Sequence, residues 1–253
     1  QGRAVIAVEH LQSGDVVFAL NSQSTSAGER WSFRRLSDSL RVEIASGGYT
    51  SGLNDAGLKI SAADLDGTTL ADVTLYENGV AESATGTNAI STIDAGVKIG
   101  RSAGIDFSVG TYAEVVVLDK TWSQSERQKL EGYLAHKWGM QGSLPAGHPY
   151  ENAAPQVTET TGTFVPWTPE DGSELPPIAL WLDADEESTI TETSGDVSQW
   201  NDKSDNSHVF VNGGNVKPTL ATASLNGKNT IRGNGSDTGL EEISSNPIIP
   251  GGA

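Results

Sequence analysis

Apolar and polar positions alternate in short blocks along the first 120 or so residues, and turn residues separate the blocks. Ala4-Val5-Ile6-Ala7-Val8 is a continuous apolar run, as a strand covered on both faces requires. Ser13-Gly14-Asp15 reads as a turn, and Val16-Val17-Phe18-Ala19-Leu20 beyond it is expected to pair with the first run as a hairpin. Trp31 and Phe33, then Leu40, Val42 and Ile44, alternate with polar neighbours, so each strand should bury one face. Val73-Thr74-Leu75-Tyr76-Glu77 runs into Asn78-Gly79, the pair that best tolerates the positive φ angles of a two-residue hairpin turn. Val97-Lys98-Ile99-Gly100 and Ala113 to Leu118 supply further strands. Strands at this spacing without intervening helices predict an all-β, antiparallel sandwich.

One segment breaks the pattern. Ser123 with Glu126 three residues on is a capping box, and Leu130, Tyr133, Leu134 and Trp138 then fall on one helical stripe. Gly139 supplies the stop. The stripe predicts a single short helix docked on the sandwich edge.

Residues 155–177 carry Pro155, Pro166, Pro169, Pro176 and Pro177 among Thr, Glu and Gly, and read as an extended linker. Ile178-Ala179-Leu180-Trp181-Leu182 restarts a β pattern. The chain thus divides into 1–154, a proline-rich 155–177, and 178–253.

Composition narrows the function classes. The net charge of −17 argues against nucleic acid and against anionic membrane surfaces, both of which call for clustered Lys and Arg. Apolar runs of about five residues fall far short of the ~20 needed to span a bilayer, so membrane insertion is not expected. With no cysteine there is neither disulfide nor thiol chemistry. The first residue is Gln1 rather than Met, which reads as an upstream segment removed or left out. Four scattered histidines lack metal-ligand spacing, and no nucleophile elbow, phosphate loop or dinucleotide fingerprint occurs.

Two stretches resemble a known family. Ala113 to Pro155, with KTWSQSERQKLEGYLAHKWG at its centre, resembles the closing segment of laminin-G-like, concanavalin A-like domains of large bacterial surface proteins. Ala179 to Leu240, with ALWLDADEESTITETSGDVSQWNDKSDNS, resembles the opening segment, although Arg232-Gly233-Asn234-Gly235 stands where the family often has Phe-Asp-Gly. The resemblance implies a jelly-roll (concanavalin A-like) sandwich with its halves in permuted order. Three arrangements fit: one period of a tandem array, a protomer whose last segment completes its neighbour, or a closed circular permutant. The expected function is a non-enzymatic structural module of an extracellular or cell-surface fibre, with copies of itself as partners. The alternative is a calcium-assisted, carbohydrate-binding adhesion module for surface glycans.

Candidate residues follow from both readings. Trp167, Ile178, Leu180, Ile248 and Ile249 are the expected assembly contacts, with Trp167 plugging a neighbour. Asp202, Ser204, Asp205 and Asn206 form an oxygen-rich loop suited either to calcium or to an ordinary Asx turn. The resemblance implies calcium at Asp202 together with Asp237, and Asp205 is the loop's other carboxylate. Asp183, Asp185 and Glu187 share one face if they lie on a strand, a spacing used by glycoside hydrolases, but they run into a strand end, so no catalytic role is assigned. Trp138, Trp181 and Trp200 sit inside apolar patterns and are expected to be core anchors rather than sugar platforms.

Overall fold

A computed structural model of the chain describes residues 2–11, 16–20, 30–36, 39–44, 47–54, 57–83, 86–91, 96–102, 106–158, 164–171, 175–244 and 248. The Ser13-Gly14-Asp15 turn and Ile249 lie outside them. The first strands are β1 (Arg3–Leu11), β2 (Val16–Leu20), β3 (Trp31–Leu36), β4 (Ser39–Ile44), β5 (Gly47–Asn54), β6 (Lys59–Leu65), β7 (Val73–Glu77) and β8 (Val80–Ser83). Next come β9 (Lys98–Ile99), β10 (Arg101–Ser102), β11 (Asp106–Phe107), β12 (Val109–Leu118) and α1 (Gln124–Lys137), the one α-helix among the described residues. β13 (Gln156–Thr158) and β14 (Phe164–Pro166) precede β15 (Ile178–Asp183) and β16 (Ile190–Thr193). β17 (Asp196–Asn201), β18 (Val209–Asn212), β19 (Thr219–Leu225), β20 (Lys228–Asn234) and β21 (Leu240–Glu242) complete the chain.

Every strand pairing is antiparallel. One run of strands, β8-β7-β6-β1-β12-β15, forms the first half of the sheet. A second run, β5-β4-β3-β2-β9-β21-β18-β17-β16, forms the other. Val5 and Ala7 of the first and Phe18, Phe33, Val42, Trp200 and Phe210 of the second meet in one buried cluster. The sheet is therefore folded so that its halves face each other across a common core.

The first half is buried on both faces. Val5, Ala7, Val115 and Val117 point into the common core, while Ala4, Ile6, Val116 and Leu118 point into a second cluster under α1. This explains the unbroken apolar runs of β1 and β12, since alternate residues must serve two interiors. The expected β1–β2 hairpin does not form. β1 pairs with β6 and β12, whereas β2 pairs with β3 and β9. Both runs are apolar because each is an inner strand, and each inner strand takes its neighbours from distant sequence.

The helix follows its sequence signals. The Ser123 hydroxyl accepts from the Glu126 N–H, and the Glu126 carboxylate accepts from the Ser123 N–H. At the other end Gly139 has φ of +72°, and the Met140 N–H reaches back to the Ala135 carbonyl, closing the helix. Leu130, Leu134 and Trp138 are buried against the sheet. Gly132, mid-helix, lies where an added Cβ would come within 2.5 Å of Tyr150 Cβ, so its missing side chain lets the tail after α1 cross the helix. The β7–β8 hairpin turns at Asn78 (φ 49°) and Gly79 (φ 83°), as the Asn-Gly pair predicts.

One end of the common core is closed by charge. Arg35, on the same face of β3 as Trp31 and Phe33, crosses to the opposite half and donates to Glu9 at 2.9 Å, Ser61 at 3.0 Å and Glu77 at 2.9 Å. Its charge is reinforced despite the penalty of burial, because two carboxylates flank it.

Residues 155–177 depart from the expected extended linker. β13 and β14 pair as a short hairpin, and Trp167, Val157 and Leu175 pack into the cluster under α1. Apolar residues spaced among the prolines are what lay this strap down onto the domain.

Candidate functional site

The junction between residues 1–154 and 178–253 holds a group of buried polar contacts, and β12 organises it. Its pairing with β1 is interrupted: Val8 lies opposite Glu114 and Glu9 opposite Tyr112, leaving Ala113 as an extra residue. The bulge shifts the alternation on its N-terminal side, so that Tyr112 takes the face opposite to that of Val116 and Leu118. Tyr112 points into the common core, where its hydroxyl donates to the Val16 carbonyl at 3.0 Å. Glu114 turns to the helix side and is fully buried there.

Four donors converge on that carboxylate. The indole N–H groups of Trp138 and Trp181 approach at 2.7 Å each, the Tyr133 hydroxyl at 3.2 Å and Lys137 Nζ at 2.9 Å. Lys137, in the last turn of α1, where the helix dipole favours a cation, also lies 2.7 Å from Asp183 Oδ2. Asp183 ends β15 and sits opposite Glu114 in the β12–β15 register. Lys203 completes the cluster, 3.3 Å from Asp183 Oδ2, 3.1 Å from Glu170 and 4.2 Å above the Trp181 ring. Burial pushes the Glu114 carboxyl above its ordinary range, and the Asp183 charge adds to this while Lys137 opposes it. Burial also raises the Tyr133 phenol, with Glu114 and Asp183 acting in the same direction. Burial disfavours the Lys203 charge, yet Asp183 and Glu170 outweigh it and hold the amine above its ordinary value.

The loop after β17 covers the outer edge of β15. The Trp181 N–H donates to Asp202 Oδ1 at 2.9 Å, the Lys203 N–H donates to the Trp181 carbonyl at 2.7 Å, and the Asn206 amide donates to the Ile178 carbonyl at 2.8 Å. Asp202 also accepts from the Ser204 N–H at 2.9 Å and the Ser204 hydroxyl at 2.7 Å. This is the Asx-turn arrangement, with both carboxylate oxygens occupied by donors of the chain.

The three expected metal ligands do not converge. Asp202 adjoins His208 before β18, whereas Asp237 accepts from the Asn215 N–H and side-chain amide beyond the other end of that strand. The Asn215 backbone donor holds the Asp237 carboxyl below its ordinary range. Asp205 is exposed on the loop. Among the described residues no group of three His, Asp or Glu side chains is placed to hold a metal. Asp185 accepts from Lys228 at 2.6 Å and from the Asn229 N–H at 3.2 Å, and Glu187 accepts from the Asn229 side-chain amide at 2.9 Å, apart from the Asp183 contacts with Lys137 and Lys203.

Of the residues expected to contact a neighbour, the four that the structure describes pack inside this chain. Leu180 and Ile248 are in the common core, and Ile178 packs against the cluster under α1. Trp167 is buried beside α1, edge-on to Tyr133 at 6.1 Å with Lys129 Nζ 5.0 Å from its ring. Its N–H donates to the Pro155 carbonyl at 2.8 Å, which pins the strap. An open cleft of about 440 Å³ runs between strap and loop, bordered by Glu170, Pro177, Ile178, Lys203, Asp205 and Asn206.

Glu114 is the residue of this candidate site that sequence pattern passes over. A lone carboxylate in the apolar run Ala113 to Leu118 is its only signal, on the face that it shares with Val116 and Leu118. No family model, curated protein or solved structure matches the chain. Among the described residues no helix is long and apolar enough to cross a membrane.

Proposed function

We propose that the chain is a non-enzymatic structural module of an extracellular or cell-surface assembly. In this reading it is a laminin-G-like, jelly-roll sandwich built from two segments in permuted order. One observation carries the reading: residues 178–253 supply strands to both halves of the sheet, through β15 and β20 on β12 and β21 on β9. A second copy's segment satisfies every one of these contacts equally well, which is the chemistry of head-to-tail complementation. The strap is the element that directs the segment to its own chain or to the next.

The chain has no cysteine, so a pair introduced at Thr111 and Arg232, opposite each other in the β12–β20 register, reports the connection directly. Light scattering and negative-stain microscopy of the native protein should show particles larger than 26.5 kDa with a regular axial repeat. Oxidised Thr111→Cys/Arg232→Cys protein should then run as a ladder without reductant. A compact monomer at every concentration, cross-linked only within itself, overturns the assembly reading. The cleft beside Asp205 and Asn206 favours glycan adhesion as the second reading, for which loss of glycan-array binding in Asn206→Ala is the test.

A further inference from the structure

The cluster at the junction has the composition of a condensation site. We propose that Lys137 and Asp183 join through a side-chain amide bond, with Glu114 as the catalytic proton carrier. Lys137 Nζ lies 2.7 Å from Asp183 Oδ2, so it stands one carboxyl bond away from Cγ, and 2.9 Å from Glu114 Oε2. Two indoles and a phenol hold Glu114 in that position, and the site is walled by Trp138, Trp181 and Tyr133. Amine and carboxylate stay apart in water because solvation stabilises both ions. Where water is excluded the ion pair collapses to neutral amine and acid, and the reverse hydrolysis lacks its reactant. Fixed near-attack geometry supplies the rest of the rate.

The step balances without any other reactant. The Lys137 ammonium gives one proton to Asp183 Oδ2, and the amine lone pair attacks Cγ. Charge developing on Oδ1 is met by the Asp185 N–H, which already donates to that oxygen at 3.1 Å. Glu114 takes a second proton from Nζ and passes it to Oδ2. The Nζ–Cγ bond forms, the Cγ–Oδ2 bond breaks, one water leaves and Glu114 returns to its starting state. Lys203, 3.3 Å from Oδ2, helps draw electron density from the departing oxygen. Burial raises the proton affinity of the Glu114 carboxyl, which suits it to take up a proton from Nζ and hand it on.

This bond stands independently of the assembly reading, because the same three residues meet whether residues 178–253 come from the same chain or another. It would tie the end of α1 to the end of β15 on either side of the strap. The test is the denatured intact mass of the folded full chain, followed by peptide mapping. The expected mass is lighter than the sequence by one water per chain, with a branched peptide joining residues 137 and 183. Glu114→Gln and Lys137→Arg should each restore the full mass while tryptophan fluorescence reports a retained fold. A branched peptide in a single-chain product and one in a ladder resistant to detergent both support the bond, and the ladder supports exchange as well. A parent at full mass, or a branch that maps to Lys203, overturns the proposal.

Discussion

Replacing Asp202 with Ala separates a structural carboxylate from a calcium ligand. Its oxygens accept from the N–H groups of Trp181, Ser204 and His208 and from the Ser204 hydroxyl. The Trp181 N–H is the critical one, because it lies on the buried edge of β15 and loses its acceptor. A buried donor left without a partner costs about 1–3 kcal/mol, and each ordinary hydrogen bond lost nearer the surface about 0.5–1.5 kcal/mol. The 3.4 Å contact to His208 is long and adds little. Together these give roughly 3 kcal/mol. For a chain of this size each kcal/mol moves the melting temperature by about 2 °C, so Asp202→Ala should melt about 6 °C below the parent. Asp202→Asn keeps Oδ1 for Trp181 and Ser204 and should lose only about 1 kcal/mol. The assay is thermal unfolding by circular dichroism, run with calcium and with a chelator. The parent should melt at the same temperature in both. An Asp202→Ala variant that melts with the parent, or a parent whose stability depends on calcium and loses that dependence in the variant, would refute this account.

Three further outcomes are expected. Arg35→Met leaves Glu9 and Glu77 buried without their shared cation and should cost about 3–5 kcal/mol in denaturant unfolding, with much of it recovered when both acids are also made Gln. Gly139→Ala forces a left-handed residue to carry a Cβ 2.9 Å from Asn226 Cγ, and should destabilise by about 1–2 kcal/mol in the same assay. Asp64, on β6 beneath α1, has its carboxyl pushed by burial and by Asp66 from 3.8 up to about 7, against the pull of Arg127. The folded state therefore holds that proton more tightly than the unfolded chain, and stability should fall as pH rises from about 4 to about 7. Asp64→Asn should flatten that slope, which melting temperatures across the range will show.

Local features were the legible part of the sequence. Asn78-Gly79, the Ser123–Glu126 box and the alternation of Trp31/Phe33 and Leu40/Val42/Ile44 each report on a few residues, and all appear where expected. Pairing partners were not legible. Period-two alternation says which face is buried but not which strand lies alongside, so β1 and β2 read as neighbours and belong to different halves. The strap was misread for a related reason: prolines dominate its composition, while its fate is set by Trp167, Val157 and Leu175, whose docking surface is α1. At the junction Trp138 and Trp181 are buried as expected, but their indole N–H groups serve a carboxylate that no spacing rule marks. Plain alternation with Val116 and Leu118 places Glu114 on the helix side, whereas the one-residue bulge at Ala113 sends Tyr112 to the other interior, and bulges leave no signature in hydrophobic periodicity.

The shared strand β12 has a consequence for how the molecule matures. As the chain emerges from its N-terminus, β1 can cover one edge of β12 early, but the other edge waits for β15 and β20. The two-residue β9 waits longer still, because its second neighbour is β21. Until β15 and β20 have been made, Val115 to Leu118 present an apolar template with open backbone groups, and closure must span long sequence separations, a slow kind of search. Under the proposed assembly, another chain's segment would compete with the tethered one during that interval, and the outcome would depend on how crowded the newly made chains are. Under that proposal, concentration at the moment of folding, more than stability afterwards, is the quantity that would decide between a solitary subunit and a linked one.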